Sequence, residues 1–219
     1  MEVSEVLTVK LKEMLKPVNG FHMNSSLTCL RILQAVLELK KEEDTIIISK
    51  GHSAPAFYVL LWKMGLISDE ELMSFAEIDG LPSHVTRGLP FIEVSSGSLG
   101  QGLSVANGIA LAKKMDNKKG RIFVILGDGE LDEGQIWEAA MTAAHHNLDN
   151  VVAIIDRNYH QLTGHTEDIL AKEPLAEKWK AFGWEVREVE NNVEKLKETI
   201  IELEKINDRP KVIIARWNW

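Results

Sequence analysis

The sequence contains 219 residues, 45% of them hydrophobic, and its 33 acidic residues outnumber its 25 lysines and arginines, which gives a net charge of -8. This length and composition favour one α/β domain with a sizeable core. The negative charge would repel nucleic acid phosphates and an anionic membrane surface, so we expect neither as a partner. The single cysteine, Cys29, excludes an internal disulfide, the charged N-terminus does not resemble a signal peptide, and no apolar run could span a bilayer. We therefore expect a cytoplasmic protein.

The first part of the chain alternates between helix-like and strand-like patterns. Apolar residues recur with helical period at positions 7–15 and again at 27–37, which predicts two amphipathic helices. The β-branched run TIIIS at residues 45–49 predicts a short strand. Ser68 stands three residues before Glu71, a spacing that indicates a capping box at the start of a short helix.

The second part has the clearest pattern. RIFVIL from Arg121, a turn, a helix that ends near His145 and VVAII from Val151 predict a βαβ unit. Both apolar runs are continuous, as expected for parallel strands that are buried on both faces. An amphipathic helix near residues 193–203 and a last strand, KVIIA from Lys211, complete the pattern. The predicted class is α/β, with a mostly parallel sheet flanked by helices.

Two oxygen-bearing side chains follow the strands of the βαβ unit: Asp128 comes after the first strand and Asn158 after the second. Because both strands of such a unit end at the same edge of the sheet, we expect the two side chains to converge in the crevice where open α/β sheets bind ligands. Their hard oxygen atoms suit Mg²⁺. Gly127 and Gly129 would let the backbone approach a phosphate, and a helix that starts near Glu133 would direct N–H groups towards it. The sequence therefore predicts a site for a metal-bound diphosphate.

Several segments resemble one enzyme family. GDGELDEGQIWEA, followed by DRN at residues 156–158, resembles the thiamine diphosphate motif of transketolases. SKGHSAP from Ser49, LPSH from Leu81 and SSGSLGQG from Ser95 are similar to other segments of that family. The resemblance extends from about residue 18 to residue 216. It implies the thiamine-diphosphate-binding fold and the diphosphate-binding half of a transketolase, of the kind encoded as a separate N-terminal subunit.

The resemblance also implies roles for individual residues. The metal, Mg²⁺ or another divalent cation such as Ca²⁺ or Mn²⁺, would be bound by the side chains of Asp128 and Asn158 and by the backbone carbonyl of His160. The catalytic residues would be three histidines: His22, His52 and His84. The residues that bind thiamine diphosphate would be His52, Leu99, Gly127, Asp128, Gly129, Glu130, Asn158 and Leu162.

The sequence departs from the family pattern in three places. Asn24 replaces the usual glycine two residues after the first active-site histidine, and Val85 replaces the proline that follows LPSH. Where the family continues past IIAR into a Lys- and Gly-rich loop, this sequence reads WNW. We expect this lid to be missing or to be supplied by the partner. Trp217 and Trp219 would either form an exposed patch for a partner or fold back on the core.

The implied activity is the transfer of a two-carbon ketol unit from a ketose or ketose phosphate to an aldose, with thiamine diphosphate and Mg²⁺. Residues 1–219 would form a single cofactor-binding domain, and no segment corresponds to the pyrimidine-binding domain of the family. We therefore expect activity only with a C-terminal transketolase subunit, in an α2β2 assembly that self-associates through the helix bearing Glu133, Trp137 and Glu138. Two alternatives stay open. One is half of another thiamine diphosphate enzyme, such as a 1-deoxyxylulose-5-phosphate synthase or a ketoacid dehydrogenase component, and the other is a non-catalytic cofactor-binding subunit.

Overall fold

A computed structural model of the chain describes residues 3–218. Its main sheet consists of strands β1 (Thr45–Ile48), β2 (Ile122–Gly127), β3 (Val151–Arg157), β6 (Glu185–Glu190) and β7 (Lys211–Arg216). These strands pair in the order β1-β2-β3-β7-β6, and every pairing is parallel. A separate antiparallel hairpin consists of β4 (His160–Gln161) and β5 (Gly164–His165). The predicted α/β class with a parallel sheet is confirmed.

Helices surround the sheet. In chain order they are α1 (Val3–Leu15), α2 (Met23–Leu39), α3 (Ala54–Lys63), α4 (Asp69–Met73), α5 (Gly102–Met115), α6 (Gly134–His145), α7 (Thr166–Ile169), α8 (Leu175–Ala181) and α9 (Val193–Leu203). Two short 3-10 helices, Gly51–Ser53 and Gly129–Asp132, follow β1 and β2 directly. Within residues 3–218, none of the helices combines the length and the apolar character needed to cross a bilayer.

The strand side chains alternate between two hydrophobic cores. Phe123 and Ile125 of β2 pack in a core with apolar residues of α1, α2, α3 and α9, whereas Val124 and Leu126 pack in a second core with residues of α5, α6 and α8. All six residues of β2 and all seven of β3 are buried. This double burial explains why the sequence shows continuous apolar runs at these strands instead of an alternating pattern.

The local predictions agree with the structure, but they leave out helices α3, α5, α7 and α8 and strands β4, β5 and β6. The Ser68 hydroxyl accepts a hydrogen bond from the Glu71 N–H at 3.1 Å, and the Glu71 carboxylate accepts one from the Ser68 N–H at 2.8 Å, so the capping box is present. The helix expected near Glu133 begins at Gly134. The sequence pattern misses β6, whose sequence EVREVE is mostly charged. Because β6 lies at the edge of the sheet and, within the described chain, pairs only with β7, its side chains need not be apolar.

The end of the described chain continues the line of β7. The Trp217 N–H donates a hydrogen bond to the Arg157 carbonyl at 3.1 Å, which extends the pairing of β7 with β3, and the Arg31 guanidinium lies 4.4 Å from the centre of the half-buried Trp217 ring. Both interpretations offered for this tryptophan stay predictions. Trp219 lies outside the described residues.

The register of β2 and β3 places the predicted ligands at one edge. Gly127 pairs with Asp156, the residue before Arg157 at the end of β3. Asp128 and Asn158 follow the two strands immediately. Both side chains are therefore at the carboxyl edge of the sheet, as the βαβ pattern predicts.

Candidate functional site

A cleft of about 700 Å³ opens at the carboxyl edge of the sheet. The segments that follow β1, β2 and β3 line it, together with the start of α2 and the β4–β5 hairpin. The site residues predicted from sequence that line this cleft are His22, His52, Leu99, Gly127, Asp128, Gly129, Glu130, Asn158, His160 and Leu162. The fold thus brings together residues from five separate parts of the chain.

His84 is the predicted site residue that does not line the cleft. Its ring lies 6.4 Å from the Phe21 ring, and its Nδ1 is 3.2 Å from the Ser83 hydroxyl. A methyl group on Gly51 would lie 3.0 Å from His84 Cδ2, so the ring packs beside the backbone that precedes His52. His84 therefore lies close to the histidine pair without lining the cleft, and its catalytic role stays a prediction.

His22 enters the cleft from a strained backbone position. It is the N-cap residue of α2, and its φ of 43° lies in the left-handed region that residues other than glycine rarely adopt. Such a conformation costs on the order of 1 kcal/mol or more and persists only where the surrounding structure imposes it. The His22 and His52 ring centres are 4.7 Å apart. The two histidines therefore form one cluster, although Asn24 replaces the family glycine.

Both of these imidazoles are kept neutral. Burial lowers the pKa of His52 to about 3, and the Lys50 charge and the neighbouring His22 and His84 add to this effect. Burial, followed by the charges of His84 and Lys50, also lowers the pKa of His22. A neutral imidazole carries one N–H donor and one acceptor nitrogen. Near neutral pH the pair can donate hydrogen bonds to hydroxyl or carbonyl oxygens and accept others.

Asp128 is buried and held by several donors. Its Oδ2 accepts hydrogen bonds from Arg157 Nη1 at 2.9 Å and from the Tyr159 N–H at 2.7 Å, and its Oδ1 accepts one from the Gly129 N–H at 2.9 Å. Burial and the nearby charge of Asp156 raise the pKa of the Asp128 carboxyl, whereas Arg157 and the Tyr159 N–H oppose that rise. The donors fix the carboxylate plane at the end of β2.

A second buried carboxylate, Asp156, orients Asn158. Asp156 Oδ2 accepts hydrogen bonds from Asn158 Nδ2 at 3.1 Å and from Thr28 Oγ1 at 2.6 Å, and it forms an ion pair with Lys50. Burial acts to lower the pKa of the Lys50 ammonium, but the charge and the hydrogen bond of Asp156, together with Cys29 and Asp128, outweigh burial and raise that pKa. The amide oxygen of Asn158 accepts a hydrogen bond from the His160 N–H at 2.9 Å. Asp156 thus binds the Asn158 amide nitrogen and fixes the orientation of the amide, whose oxygen faces the His160 N–H.

Glu130 connects three segments of the cleft wall. Its carboxylate is 98% buried and accepts hydrogen bonds from the Ser49 hydroxyl, from the Gly100 N–H at 2.8 Å and from the Gly127 N–H at 3.0 Å. Burial raises the pKa of this carboxyl, although the three donors oppose the rise. Glu130 was predicted to bind the cofactor, and its hydrogen bonds show that it also fixes the loops after β1 and before α5.

The β4–β5 hairpin closes the outer side of the cleft. A Cβ atom on Gly129 would lie 2.8 Å from Gln161 Cβ, so the hairpin approaches this turn too closely for any side chain other than hydrogen. Leu162, at the tip, is 92% exposed, while Leu99 on the other loop is partly buried. Both leucines line the cleft, and they offer it apolar surface beside the polar strand ends.

The donor set at the strand ends fits a hard cation that is also bound by phosphate. Among residues 3–218, no group of three or more His, Cys, Asp or Glu side chains is arranged to hold a metal ion. The turn 158–160 instead connects one carboxylate with one amide. The Tyr159 N–H donates to the Asp128 carboxylate, and the His160 N–H donates to the Asn158 amide oxygen. Mg²⁺ commonly takes one or two such protein oxygens and completes its octahedron with water and substrate phosphates.

Three buried polar residues at this edge have no role predicted from the sequence: Lys50, Asp156 and Arg157. Each has a signal in the sequence. Lys50 lies inside SKGHSAP, and Asp156 and Arg157 are the first two letters of DRN. A charged residue directly at the end of a buried strand must find an opposite charge, which makes it a candidate for a structural role at the site.

Comparison with known proteins identifies the family. The family described as "Transketolase, thiamine diphosphate binding domain" matches residues 38–217. An apulose-4-phosphate transketolase subunit of Phocaeicola vulgatus is 38% identical over 224 residues, which cover 97% of this chain and 80% of the relative. The 6-deoxy-6-sulfo-D-fructose transketolase subunit SqwG of a Clostridium species is 39% identical over 207 residues, covering 88% of this chain and 75% of the relative.

The solved structures agree in fold. A transketolase from Campylobacter jejuni superposes with a TM-score of 0.87 at 27% identity, over 97% of this chain but only 36% of the larger enzyme. The chain therefore spans about a third of this solved transketolase. Its parallel sheet flanked by helices is that of a thiamine-diphosphate-binding fold. On the family match and these identities, the chain belongs to the transketolase thiamine diphosphate-binding domain family.

Proposed function

We propose that this chain is the N-terminal subunit of a two-chain transketolase, which binds thiamine diphosphate through Mg²⁺ and transfers a two-carbon ketol unit from a ketose or ketose phosphate to an aldose. One observation carries the proposal. The ends of three neighbouring parallel strands deliver His52, Asp128 and Asn158 to one cleft. That cleft combines neutral histidines, hard oxygen donors and apolar walls, which are the chemical classes that a sugar, a metal-bound diphosphate and a thiazolium ring require.

Each group in the cleft has a task in this proposal. Asp128, Asn158 and the His160 carbonyl would hold the cation, and Gly129 would give its N–H to the diphosphate. Leu99 and Leu162 would contact the two faces of the thiazolium. The bound cofactor would supply the nucleophilic carbon that carries the two-carbon unit. The protein itself would position the reactants and provide the electrostatic environment.

The histidines would act on the sugar. With its pKa lowered by burial, His52 is neutral, so its N–H can donate a hydrogen bond to a substrate oxygen while its other nitrogen accepts one. His22 lies beside it and can bind a second oxygen of the same substrate. His84, which lies close to the pair without lining the cleft, would help to keep both imidazoles neutral. Carbohydrate hydroxyls suit such neutral donors because no ionic partner is needed.

We further propose that the active unit includes a C-terminal, pyrimidine-binding transketolase subunit in a cytoplasmic α2β2 assembly. The two relatives, of which this chain covers 80% and 75%, carry the name of transketolase subunits, which supports a partner chain. Two of those names specify a phosphorylated and a sulfonated sugar, so ketoses with an anionic end group form the first set of donors to test. The same names favour a transketolase over a 1-deoxyxylulose-5-phosphate synthase.

The metal requirement gives the first prediction. Thiamine diphosphate should bind the wild-type chain only with Mg²⁺, Mn²⁺ or Ca²⁺, and Asp128→Ala or Asn158→Ala should abolish binding because either change removes an oxygen ligand of the cation. Isothermal titration calorimetry with and without the metal measures this. Asp116→Ala, which removes an exposed carboxylate at the far end of α5, is the control and should bind as wild type. Wild-type affinity in Asp128→Ala would contradict the metal assignment.

The lowered pKa of His52 gives the second prediction. In the folded protein this pKa is about 3, whereas the unfolded chain has the ordinary value of 6.5. Between these values only the unfolded state binds the proton, so the neutral folded histidine stabilises the protein fully above pH 6.5 and progressively less as the pH falls towards 3. By pH 5 the loss should reach roughly 2 kcal/mol.

Urea unfolding at several pH values between 7 and 5 measures this loss. The free energy of unfolding of the wild-type chain should fall more steeply with decreasing pH than that of His52→Gln, which cannot take up the proton. Parallel curves for the two proteins would show that the folded state protonates His52 normally, and the proposal of a neutral donor would then fail.

The partner requirement gives the third prediction. We expect the isolated chain to show no ketol transfer, and its mixture with the C-terminal subunit to form a heteromer that is active only with thiamine diphosphate and a divalent cation. Light scattering and a ketol-transfer assay on the same samples measure mass and activity together.

Two outcomes separate the alternatives. A stable heteromer that binds the cofactor but transfers no ketol unit from any donor would indicate a non-catalytic subunit, and full activity of the isolated chain would overturn the partner requirement. His52→Ala should form the heteromer but lose about 10²-fold to 10⁴-fold in turnover, as is typical when a positioned acid or hydrogen-bond donor is removed. His145→Ala, at the far end of α6, should retain activity.

A further inference from the structure

Arg157 is a completely buried arginine at the end of β3, with 0% of its surface exposed. Its Nη1 donates to Asp128 Oδ2 at 2.9 Å and to Thr166 Oγ1 at 2.7 Å. Its Nη2 donates to Glu167 and, at 3.3 Å, to Glu173. One guanidinium therefore joins the carboxylate after β2 to the segment that follows the β4–β5 hairpin.

These hydrogen bonds decide which oxygen of Asp128 faces a ligand. Oδ2 already accepts from both Arg157 and the Tyr159 N–H, whereas within residues 3–218 the donor to Oδ1 is the adjacent Gly129 N–H. Two donors on Oδ2 fix the rotation of the carboxylate about its Cβ–Cγ bond. Oδ1 is then the oxygen that a cation can approach.

The same guanidinium also holds the base of the hairpin. Its carbon lies 4.1 Å from the centre of the Tyr159 ring, a cation–π contact. Its partner Glu167 accepts a further hydrogen bond from the Lys172 N–H at 3.0 Å, and the Thr166 N–H donates to the Tyr159 carbonyl at 2.9 Å. The segment that carries His160 and the cleft-lining tip is thereby tied to the same group that orients Asp128.

We propose that Arg157 is a positioning residue for the cation site: it sets the orientation of Asp128 and the position of the 158–160 turn, so that the two side-chain ligands and the backbone carbonyl meet one ion. This inference rests on the proposed function. It assigns Arg157 a role although it touches neither the cation nor the substrate. Groups of this kind, which orient a metal ligand from behind, typically contribute 10-fold to 100-fold to metal affinity.

The charge of Arg157 would act against this role. A guanidinium beside a divalent cation repels it, so charge alone predicts that removing Arg157 tightens metal binding. A buried ion pair is also weak support for stability, since well-packed apolar residues often replace one without loss. Orientation, charge and general stability therefore predict different results for the same substitutions.

Arg216 offers a matched control. It donates to Glu173 and to the Tyr159 hydroxyl, at 2.9 and 2.8 Å, and so it also tethers this segment. Among the described residues, Arg216 makes no hydrogen bond or ion pair with Asp128. Arg216→Met should therefore reproduce any effect of loosening the tether, but not the loss of the Asp128 orientation.

The test measures the affinity of the chain for Mn²⁺ at saturating thiamine diphosphate. Electron paramagnetic resonance reports the fraction of Mn²⁺ that is bound. Arg157→Met removes the donors and the charge. Arg157→Lys keeps the charge but not the planar fork that reaches two acceptors on each side. We expect both variants to bind Mn²⁺ about 10-fold to 100-fold more weakly than the wild type. Arg216→Met, which loosens the tether but leaves the Asp128 orientation intact, should weaken Mn²⁺ binding less than either Arg157 variant.

Thermal melting of the metal-free proteins, monitored by circular dichroism, confirms that each variant is folded, and Arg157→Lys carries the test if Arg157→Met does not fold. Unchanged or tighter Mn²⁺ binding by a folded Arg157 variant would overturn the proposal, and so would an equal loss in Arg216→Met. A wild-type chain that does not bind Mn²⁺ with thiamine diphosphate would instead overturn the proposed function, and the role of Arg157 with it.

Discussion

The site depends on two buried carboxylates at the ends of neighbouring strands. Each carboxylate requires a positively charged side chain from another part of the chain. Asp128 after β2 pairs with Arg157, and Asp156 at the end of β3 pairs with Lys50 after β1. Removing one partner of such a pair leaves an uncompensated buried charge and destabilises a protein by about 3–5 kcal/mol. These pairs cross-link three strand ends and, through Thr28, the start of α2. The walls of the cleft are therefore built on a network in which the loss of one charged side chain destabilises the others.

This network gives the cleft its chemical asymmetry. On the side of β1 and α2, burial and the Lys50 charge keep the histidines neutral. On the side of β2 and β3, buried carboxylates and an oriented amide present oxygen atoms that would bind a cation under the proposed function. The loops between these sides are joined by Glu130, whose carboxylate binds the segments after β1 and before α5. Under the proposed function, different groups in one cleft would thus bind a diphosphate and a sugar, because the protein separates the oxygens that would bind the cation from the neutral hydrogen-bonding surface over a short distance.

Much of this arrangement could be predicted from the sequence, because it follows from local pattern and from the direction of parallel strands. Continuous apolar runs at RIFVIL and VVAII fix two adjacent buried strands, and that adjacency brings Asp128 and Asn158 to one edge. The ion pairs could not be predicted, since Lys50 and Asp156 are brought together only by the tertiary fold. The position of His84 also depends on the fold, because the fully buried Val85 after it sets the path of the chain. The edge strand β6 was missed because a strand with one neighbour tolerates the charges of EVREVE.

We propose that the two strand ends form one cation site, with Oδ1 of Asp128 directed into the cleft by its buried counter-charge. A crystal structure of the chain with Mn²⁺ and thiamine diphosphate, with data collected for the anomalous signal of manganese, would locate the ion. We expect an anomalous peak about 2.1 Å from Asp128 Oδ1 and from Asn158 Oδ1, with the ion pair between Asp128 Oδ2 and Arg157 retained. An ion bound elsewhere, or bound through Asp128 Oδ2 with Arg157 displaced, would contradict it.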